Sequence, residues 1–532
     1  MKSKKFMYLT EFFAGMGIMA VELGASRLLA PYFSSSQIVW TIIIAVIMIA
    51  MALGNVIGGR SADKNPDPAK LYKRLLIAGV WIAAIPVLGK YVVIAISGLL
   101  VITVSHNLLI IAALLSCLII FVYPCFLLGT VTPSLVKYTV EKLDNNGSIV
   151  GKLGAANTIG SIIGTFLPTF ITIPAVGTSI TFLIFSGMLI VLALIYFIFI
   201  KKNIVGCVIA AILYIICIIL GNKDSFAFWE KSLAYEGESI YNYLQVKDDD
   251  YSTILSTNVL FGVQSITIKD GSLTGMYYDY AMAAPVLANQ LDKNSDSKDY
   301  NDMDVLILGM GTGTFARQCK NYLGDMNIEG VEIDSKITDL AHEYFRLSKD
   351  IPVTTYDGRA FLNVNDKKYD VIMVDAYQDI TIPFQMSSSE FFNLVKSHLK
   401  DNGVMVVNIN MRIGGAGSIN EYLSDTIASV FDNVYSYDCQ GSTNKEIFAS
   451  DKDISSVVLK DGIDNVKNKK LANLLTKLAN NYDYYEGGDH IFTDDKAPVE
   501  LLGMEAVDEI IKEEIGYYKD IIDKEGIGGL LK

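Results

Sequence analysis

The chain has 532 residues, of which 51% are hydrophobic, and a net charge of −13. That length exceeds one ordinary core, so two or more domains are expected, and the charge divides them: residues 1 to 222 carry 15 Lys+Arg against 6 Asp+Glu, net +9, which leaves −22 to the remainder. An acidic polar half without a Lys/Arg stripe repels phosphate backbones, which excludes nucleic acid as the expected partner and suits a small cationic one.

Taken in chain order, apolar runs long enough to cross about 30 Å of hydrocarbon recur near 6 to 29, 38 to 58, 72 to 104, 108 to 130, 152 to 174, 178 to 200 and 203 to 221. The first is too long for a cleavable signal peptide and is followed by more spans. Gly54, Gly58 and Gly59, then Gly151, Gly154, Gly160 and Gly164, predict close helix packing in a polytopic, multi-pass bundle whose partner is the lipid bilayer. Glu11, Glu22 and Arg27 are costly in hydrocarbon and are expected to face the bundle interior, as a structural ion pair or as part of a substrate or ion path. Lys2, Lys4 and Lys5 favour a cytoplasmic N-terminus, and Arg60, Lys64, Lys70, Lys73 and Arg74 a cytoplasmic return after the second span. With seven crossings the C-terminal domain emerges outside the cell. Splitting the run 72–104 at Lys90 into two short helices makes eight and brings it inside.

After Gly221 a polar linker, 222–238, leads to a small β subdomain at 239–300, in which Ser252–Ser256 and Ser265–Lys269 read as antiparallel strands closed by the Asp270-Gly271 turn. The core at 301–532 opens with the buried strand Met303–Leu308, then Gly309-Met-Gly311-Thr-Gly313 and a helical stretch, then a second strand ending at Glu332. Glycines at such a turn let a ligand lie against backbone at a helix N-terminus, and an acid about 20 residues on grips ribose hydroxyls. Asp357-Gly358 follows a third strand, where an acid can hold an adenine amino group. Asp375 ends the strand Tyr369–Asp375, at the usual ligand crevice of doubly wound sheets. The fold class expected is a polytopic α-helical membrane domain followed by an α/β Rossmann-like domain of the adenosylmethionine-dependent methyltransferase type, with a small N-terminal β subdomain. The six cysteines form no CxxC pair, four (Cys117, Cys125, Cys207, Cys217) lie in apolar segments, and the four histidines are scattered, so neither disulfides nor a metal are expected. Lys460–Asn481 reads as surface helix and linker. In the acidic tail Val507, Ile510, Ile511 and Ile515 recur at helical spacing, as a packing face would.

Val305–Thr314, Val331-Glu332-Ile333-Asp334, Asp357-Gly358 and Tyr369–Asp375 together resemble the successive motifs of the spermidine synthase, or polyamine aminopropyltransferase, family. Ser239-Ile-Tyr241 resembles its Ser-x-Tyr motif, and Met276-Tyr277-Tyr278-Asp279 falls where its Tyr-x-Glu motif belongs. Glu22–Arg27, Gly58–Asp63, Ala155–Gly160 and Thr493–Glu500 are similar to stretches of the family's multi-spanning branch. The resemblance implies transfer of an aminopropyl group from decarboxylated S-adenosylmethionine, a co-substrate and not a tightly bound cofactor, to an amine acceptor. It implies Asp375 as the acid that accepts the amine proton and Tyr277 as its helper. It assigns Gly309, Gly311, Gly313, Glu332, Asp357 and Gly358 to the nucleoside, and Tyr241, Tyr278, Asp279, Tyr377 and Gln378 to the acceptor side. A homodimer is implied by analogy alone. The chain departs from the family in reading Asp375-Ala-Tyr-Gln-Asp379, its acids four apart where three is usual, and Asn242 where glutamine is usual. Two alternatives stand beside this: a methyltransferase using intact adenosylmethionine, whose carboxylate Arg317 or Lys320 would meet, and a transporter or sensor with a ligand-binding synthase-like domain.

Overall fold

In the computed structural model, which describes residues 4–33, 36–103, 108–140, 146–221, 225–259, 263–292, 300–377, 382–409, 417–440, 442–503 and 506, the described part of the apolar half is helical apart from short connections. Its helices are α1 (Lys4–Phe33), α2 (Gln37–Lys64), α3 (Pro68–Thr103), α4 (Leu108–Gly129), α5 (Val131–Thr139), α6 (Asn146–Leu167), α7 (Ile173–Ile200) and α8 (Ile204–Gly221). Contacts divide the chain into two units: Met1–Glu230 with Glu236–Tyr243 and Asn258–Leu260, and Lys231–Tyr235 with Leu244–Thr257 and Phe261–Lys532.

Among the described residues, six helical stretches in the first unit are long and apolar enough to cross a membrane. The expected runs at 152–174 and 178–200 share one of these stretches, Asn146–Ile200, and a break at Gly177 parts them where the sequence sets their boundary. A π turn at Pro168–Thr172 carries α6 into α7, and the backbone leaves helical geometry only at Gly177 (φ 82°, ψ 168°). The carboxylate of Glu238 caps the arm beyond that break, accepting hydrogen bonds from Thr178 N and Oγ1 at 2.6 Å each. The run 72–104, read as one crossing or, if split at Lys90, as two, lies within one helix, α3, which continues through Pro86 and is long and apolar enough for a single crossing. Met48, Ile49, Phe199 and Val205 each expose more than 60% of their surface. Exposed apolar side chains of that kind are compatible with a hydrocarbon surrounding.

Small residues set the packing inside the bundle. A methyl group on Gly160 or Gly164 would overlap the carbonyl oxygen of Phe12 or Met16 on α1, and one on Gly54 or Gly58 would strike α4 at Phe126 or Thr130 just beyond it. Gly151 and Gly154 meet nothing within 4 Å and take no part in this. Glu11 is fully buried, its Oε1 accepting from Thr132 Oγ1 at 2.6 Å and Asn157 Nδ2 at 2.9 Å. Glu22 stays half-buried, and Arg27 donates to the carbonyl of Ile240.

A four-stranded antiparallel sheet follows: β1 (Leu233–Glu238), β2 (Tyr243–Asp248), β3 (Ser252–Ser256) and β4 (Ser265–Ile268), in that order. β1 occupies the second half of the segment read as a linker. The sheet is not a body of its own, since Leu244, Val246 and Leu255 pack with Ile337, Leu340 and Phe345 of the α/β core. Two helices, α9 (Tyr277–Ala281) and α10 (Ala283–Leu291), then lead into that core.

The α/β core alternates β5 (Asp304–Leu308), α11 (Thr314–Tyr322), β6 (Asn327–Glu332), α12 (Ser335–Tyr344), β7 (Val353–Thr355), α13 (Gly358–Val364), β8 (Tyr369–Val374), α14 (Ser389–Ser397), β9 (Leu399–Ile409) and α15 (Ile419–Ala428). It closes with β10 (Asn433–Asp438), β11 (Lys445–Ser450), α16 (Ser456–Ile463), α17 (Lys469–Ala479) and β12 (Asp483–Tyr484). The sheet order is β12-β10-β11-β9-β8-β5-β6-β7, with β9 through β7 parallel and β10, β11 and β12 antiparallel. Val305, Leu306, Ile307, Val371, Ile372 and Met373 are buried as strands covered on both faces must be. Leu471, Leu475 and Leu478 of α17 join this core, so the stretch read as surface helix and linker supplies packing, with an apolar face at helical spacing. Because β5 lies between β6 and β8, the chain winds one way from β5 and later the other way. The carboxyl ends of β5 and β8 therefore flank the topological switch point.

Candidate active site

The switch point is lined first by glycines. Gly309, Gly311 and Gly313 all have positive φ (87°, 52° and 76°), the region glycine enters without a Cβ clash. At Gly309 the absence of a side chain is also a packing requirement, because a Cβ would lie 2.6 Å from the carbonyl oxygen of Asp375 and 2.7 Å from Ala376 Cα. The turn thus brings the end of β5 against the end of β8. Gly313 is the residue from which α11 starts, so the helix N-terminus opens on the same edge.

Glu332 closes the turn from β6. It is 7% exposed, and its two oxygens accept from Gly311 N at 2.9 Å and Asp334 N at 3.1 Å. Burial pushes its carboxyl up to about 7, against these backbone hydrogen bonds. Asp357 is the N-cap of α13, its Oδ1 accepting from Ala360 N at 2.8 Å, and Gly358 begins that helix. The Asp494 carboxylate grips Arg359 of α13 through both oxygens at 2.7 Å and accepts from Ser388 Oγ. The segment Thr493–Glu500 therefore buttresses the Asp357-Gly358 helix.

Asp375 sits between two donors: the Tyr277 hydroxyl at 2.7 Å to Oδ2 and Asn408 Nδ2 at 3.0 Å to Oδ1. Asn408 is in turn fixed by Asn444 Nδ2, which donates to its Oδ1 at 2.8 Å. The residue keeps partial contact with solvent, yet enough atoms surround its carboxyl group that burial raises it to about 7; Asn408 and Tyr277 oppose the rise and the charge of Glu332 adds to it. Tyr277 is held well above its ordinary range by burial and by Asp375.

The remaining acceptor-side expectations fall elsewhere. The Tyr278 ring lies against that of Tyr277, centroids 3.9 Å apart, and its hydroxyl donates to Gln264 O, so it is a buried packing residue. Asp279 is fully buried and accepts from Gly275 N, Thr274 Oγ1 and Gln318 Nε2, which makes it the clamp of the turn before α9. The Tyr377 hydroxyl donates to Met386 O. Tyr241 is 48% exposed in the Ser239–Asn242 turn, a segment of the first unit. Gln378 and Asp379 lie outside the described residues, as does nearly all of the acidic tail.

Two residues that sequence reasoning passed over belong to the site. Asn408 is one. The other is Glu446 on β11, fully buried, with neither carboxylate oxygen hydrogen-bonded among the described residues. The only signal either gives in sequence is a polar residue inside an otherwise apolar strand. Away from the crevice, Glu421, Asp425 and His490 bring atoms able to bind metal within 4.8 Å of one another. Asp425 accepts there from Tyr485 Oη, Gly488 N and His490 N, which reads as a loop clamp.

A probable polyamine aminopropyl transferase of Bifidobacterium longum is 54% identical over 356 residues, which cover 64% of this chain and 77% of the relative. The chain belongs to the polyamine aminopropyltransferase family. The family model of the spermine/spermidine synthase domain matches residues 289–438, which contain the glycine turn, Glu332, Asp357 and Asp375. A polyamine aminopropyltransferase of Vibrio vulnificus is 24% identical over 232 residues, 42% of this chain and 74% of that one. Among solved structures, a probable spermidine synthase from Corynebacterium glutamicum aligns with a TM-score of 0.36 at 18% identity, over 48% of this chain and 96% of that one. As a member of the aminopropyltransferases, the chain is a transferase.

Proposed function

We propose that this chain, anchored in the cell membrane by its N-terminal helices, transfers the aminopropyl group of decarboxylated adenosylmethionine to an amine acceptor. The observation that carries the reading is the chain of hydrogen bonds Tyr277–Asp375–Asn408 at the switch point, with the glycine turn and Glu332 beside it. In this reading Glu332 takes the ribose hydroxyls, Asp357 the adenine amino group, and the turn Gly309–Gly313 with Gly358 admits the nucleoside to the backbone. The acceptor nitrogen attacks the methylene carbon bonded to the sulfonium. A C–N bond forms as the C–S bond breaks, the sulfur keeps the electron pair and leaves as neutral methylthioadenosine, and the proton shed by nitrogen passes to Asp375. A carboxylate raised to about 7 is a stronger base than an exposed aspartate while remaining largely ionised above neutrality.

The crevice also argues against the methyl-transfer alternative. Asp375 and Glu332 bring two carboxyl groups to the crevice, which favours a cationic chain over the carboxylate of intact adenosylmethionine. Arg317 donates to Phe345 O and Lys320 pairs with Asp325 at 2.7 Å, so both cations proposed for that carboxylate have protein partners. Calorimetry on the full-length protein in detergent is expected to give at least tenfold tighter binding of the decarboxylated donor than of the intact one. The reverse preference, with a methylated amine as product, would move the assignment to a methyltransferase. Binding of either donor without turnover would favour the sensor reading.

A further inference from the structure

The direction in which each long helix runs follows from the pairs of residues that meet across the bundle. Gly160 packs on Phe12 and Gly164 on Met16, so α6 runs the same way as α1. Gly24 meets Phe182 and Gly17 meets Leu189, so α7 runs against α1, and the stretch Asn146–Ile200 crosses twice, turning back at its break. Thr10 Oγ1 lies 2.9 Å from Tyr72 Oη while Leu28 packs on Gly89, which sets α3 parallel to α1. Trp81 packs on Tyr123 and Gly89 on Ile120, so α4 returns, and α2 runs with it because Gly54 and Gly58 meet Phe126 and Thr130. Gly187 meets Tyr214 and Leu183 meets Gly221, so α8 runs against α7. The bundle therefore crosses an odd number of times: α1, α3, α6 and α8 one way, α2, α4 and α7 the other.

These directions sort the charges. One edge of the bundle carries the starts of α1, α3 and α6, the ends of α2 and α7, and α5. Lys137 and Asp63 pair across it at 2.8 Å, and the rings of Tyr72 and Tyr196 stack there with centroids 3.9 Å apart. At the other edge Arg27 donates to Ile240 O, Lys90 donates to Ser225 O at 2.8 Å, and Thr178 Oγ1 donates to Glu238. Of the 15 Lys and Arg in residues 1 to 222, Lys2 and Lys142 lie outside the described residues; of the 15 − 2 = 13 that remain, all but Arg27 and Lys90, 13 − 2 = 11, fall at the first edge. Lys and Arg in short loops mark the cytoplasmic side, and an inside-negative membrane opposes the outward movement of each. The first edge is therefore the cytoplasmic one. α8 runs away from it and ends at Gly221, and among the described residues no later helix is long and apolar enough to cross again. We propose that the C-terminal unit stands on the non-cytoplasmic face of the membrane and draws its substrates from that side. The placement follows from the bundle alone; that the chemistry done there is aminopropyl transfer rests on the reading above. Donor and acceptor are both cations, which hydrocarbon excludes, so an enzyme so placed serves the amines outside the cytoplasm.

The test uses bacterial spheroplasts that produce the full-length protein and a membrane-impermeant maleimide. All six native cysteines are buried, so wild type gives the background. Asp366→Cys places an exposed thiol on the C-terminal unit, and Asn65→Cys places one between α2 and α3 without removing a cation. In intact spheroplasts Asp366→Cys is expected to react at least tenfold faster than Asn65→Cys, and permeabilisation is expected to remove the difference. A melting temperature within a few degrees of wild type shows that each variant is folded. Faster reaction at Asn65→Cys overturns the proposal, and so do equal rates before permeabilisation, which mean that the chain inserts both ways. Intact spheroplasts supplied from outside with the decarboxylated donor and a diamine are expected to release methylthioadenosine as fast as permeabilised ones. External labelling of Asp366→Cys with no methylthioadenosine before or after permeabilisation keeps the placement and refutes the transfer reading. Product formed only after permeabilisation, with external labelling confined to Asn65→Cys, keeps the transfer reading and refutes the placement.

Discussion

Replacing Asp375 with asparagine is expected to lower kcat/KM for aminopropyl transfer by about 10³-fold, the range for loss of a positioned general base. The hydrogen-bond frame can survive the change: the amide oxygen still accepts from Asn408, and the amide nitrogen donates to the Tyr277 oxygen if that hydroxyl turns. Loss of rate therefore reports loss of the base rather than of the architecture. Stability is expected to move the other way. The Asp375 carboxyl is raised from 3.8 to about 7, so the folded state holds its proton more tightly than the unfolded chain does. A contribution of that sign is fully present below pH 3.8 and is lost as pH rises through about 7. The asparagine variant escapes that loss. Its melting temperature should exceed that of wild type by a few degrees at pH 8 and by less at pH 5. For the wild-type enzyme the same shift predicts an acid limb in kcat/KM near pH 7.

Gly309→Ala is expected to damage both fold and catalysis. Its φ of 87° strains any L side chain, and the added methyl would stand 2.6 Å from Asp375 O and 2.7 Å from Ala376 N and Cα. These are backbone atoms at the end of β8 and cannot rotate away. The combined cost is about 2–4 kcal/mol, from the left-handed conformation and from overpacking. Relief of the clash displaces the segment that carries Asp375, and a misplacement of that kind costs up to about 10²-fold in rate. Gly271→Ala separates the two contributions, because Gly271 has a φ of 76° with nothing within 4 Å of where an added methyl would stand, and so bears the conformational cost alone. Thermal melts and kcat/KM for both variants make the comparison. Equal losses at the two sites would contradict the close approach of β5 and β8.

The parts of the site legible in sequence were those carried by local order. Strand, glycine turn, helix, strand and acid follow one another within residues 303–332, and parallel winding then places Asp375 beside Gly309. Tyr278 and Asp279 show where motif likeness ends. Consecutive residues of a helix such as α9 point about 100° apart, so with Tyr277 on Asp375 its two neighbours are directed elsewhere, to Gln264 and to the turn at Thr274. Asn408 and Glu446 were not legible because they reach the site through strand order. β11 returns antiparallel between β9 and β10, and nothing in the spacing from 375 to 446 announces that. In the first unit, hydropathy located the apolar runs. The boundary it set between 174 and 178 is the break at Gly177, beyond which Glu238 caps the arm, while a π turn absorbs Pro168.

The most direct measurement of the central claim is the mass of the product that the purified full-length protein forms from decarboxylated adenosylmethionine and a diamine. The account predicts an amine heavier by one aminopropyl group, released one for one with methylthioadenosine and absent in Asp375→Asn. Methylthioadenosine release that is independent of amine, or an amine heavier by one methyl group from the intact donor, would contradict it.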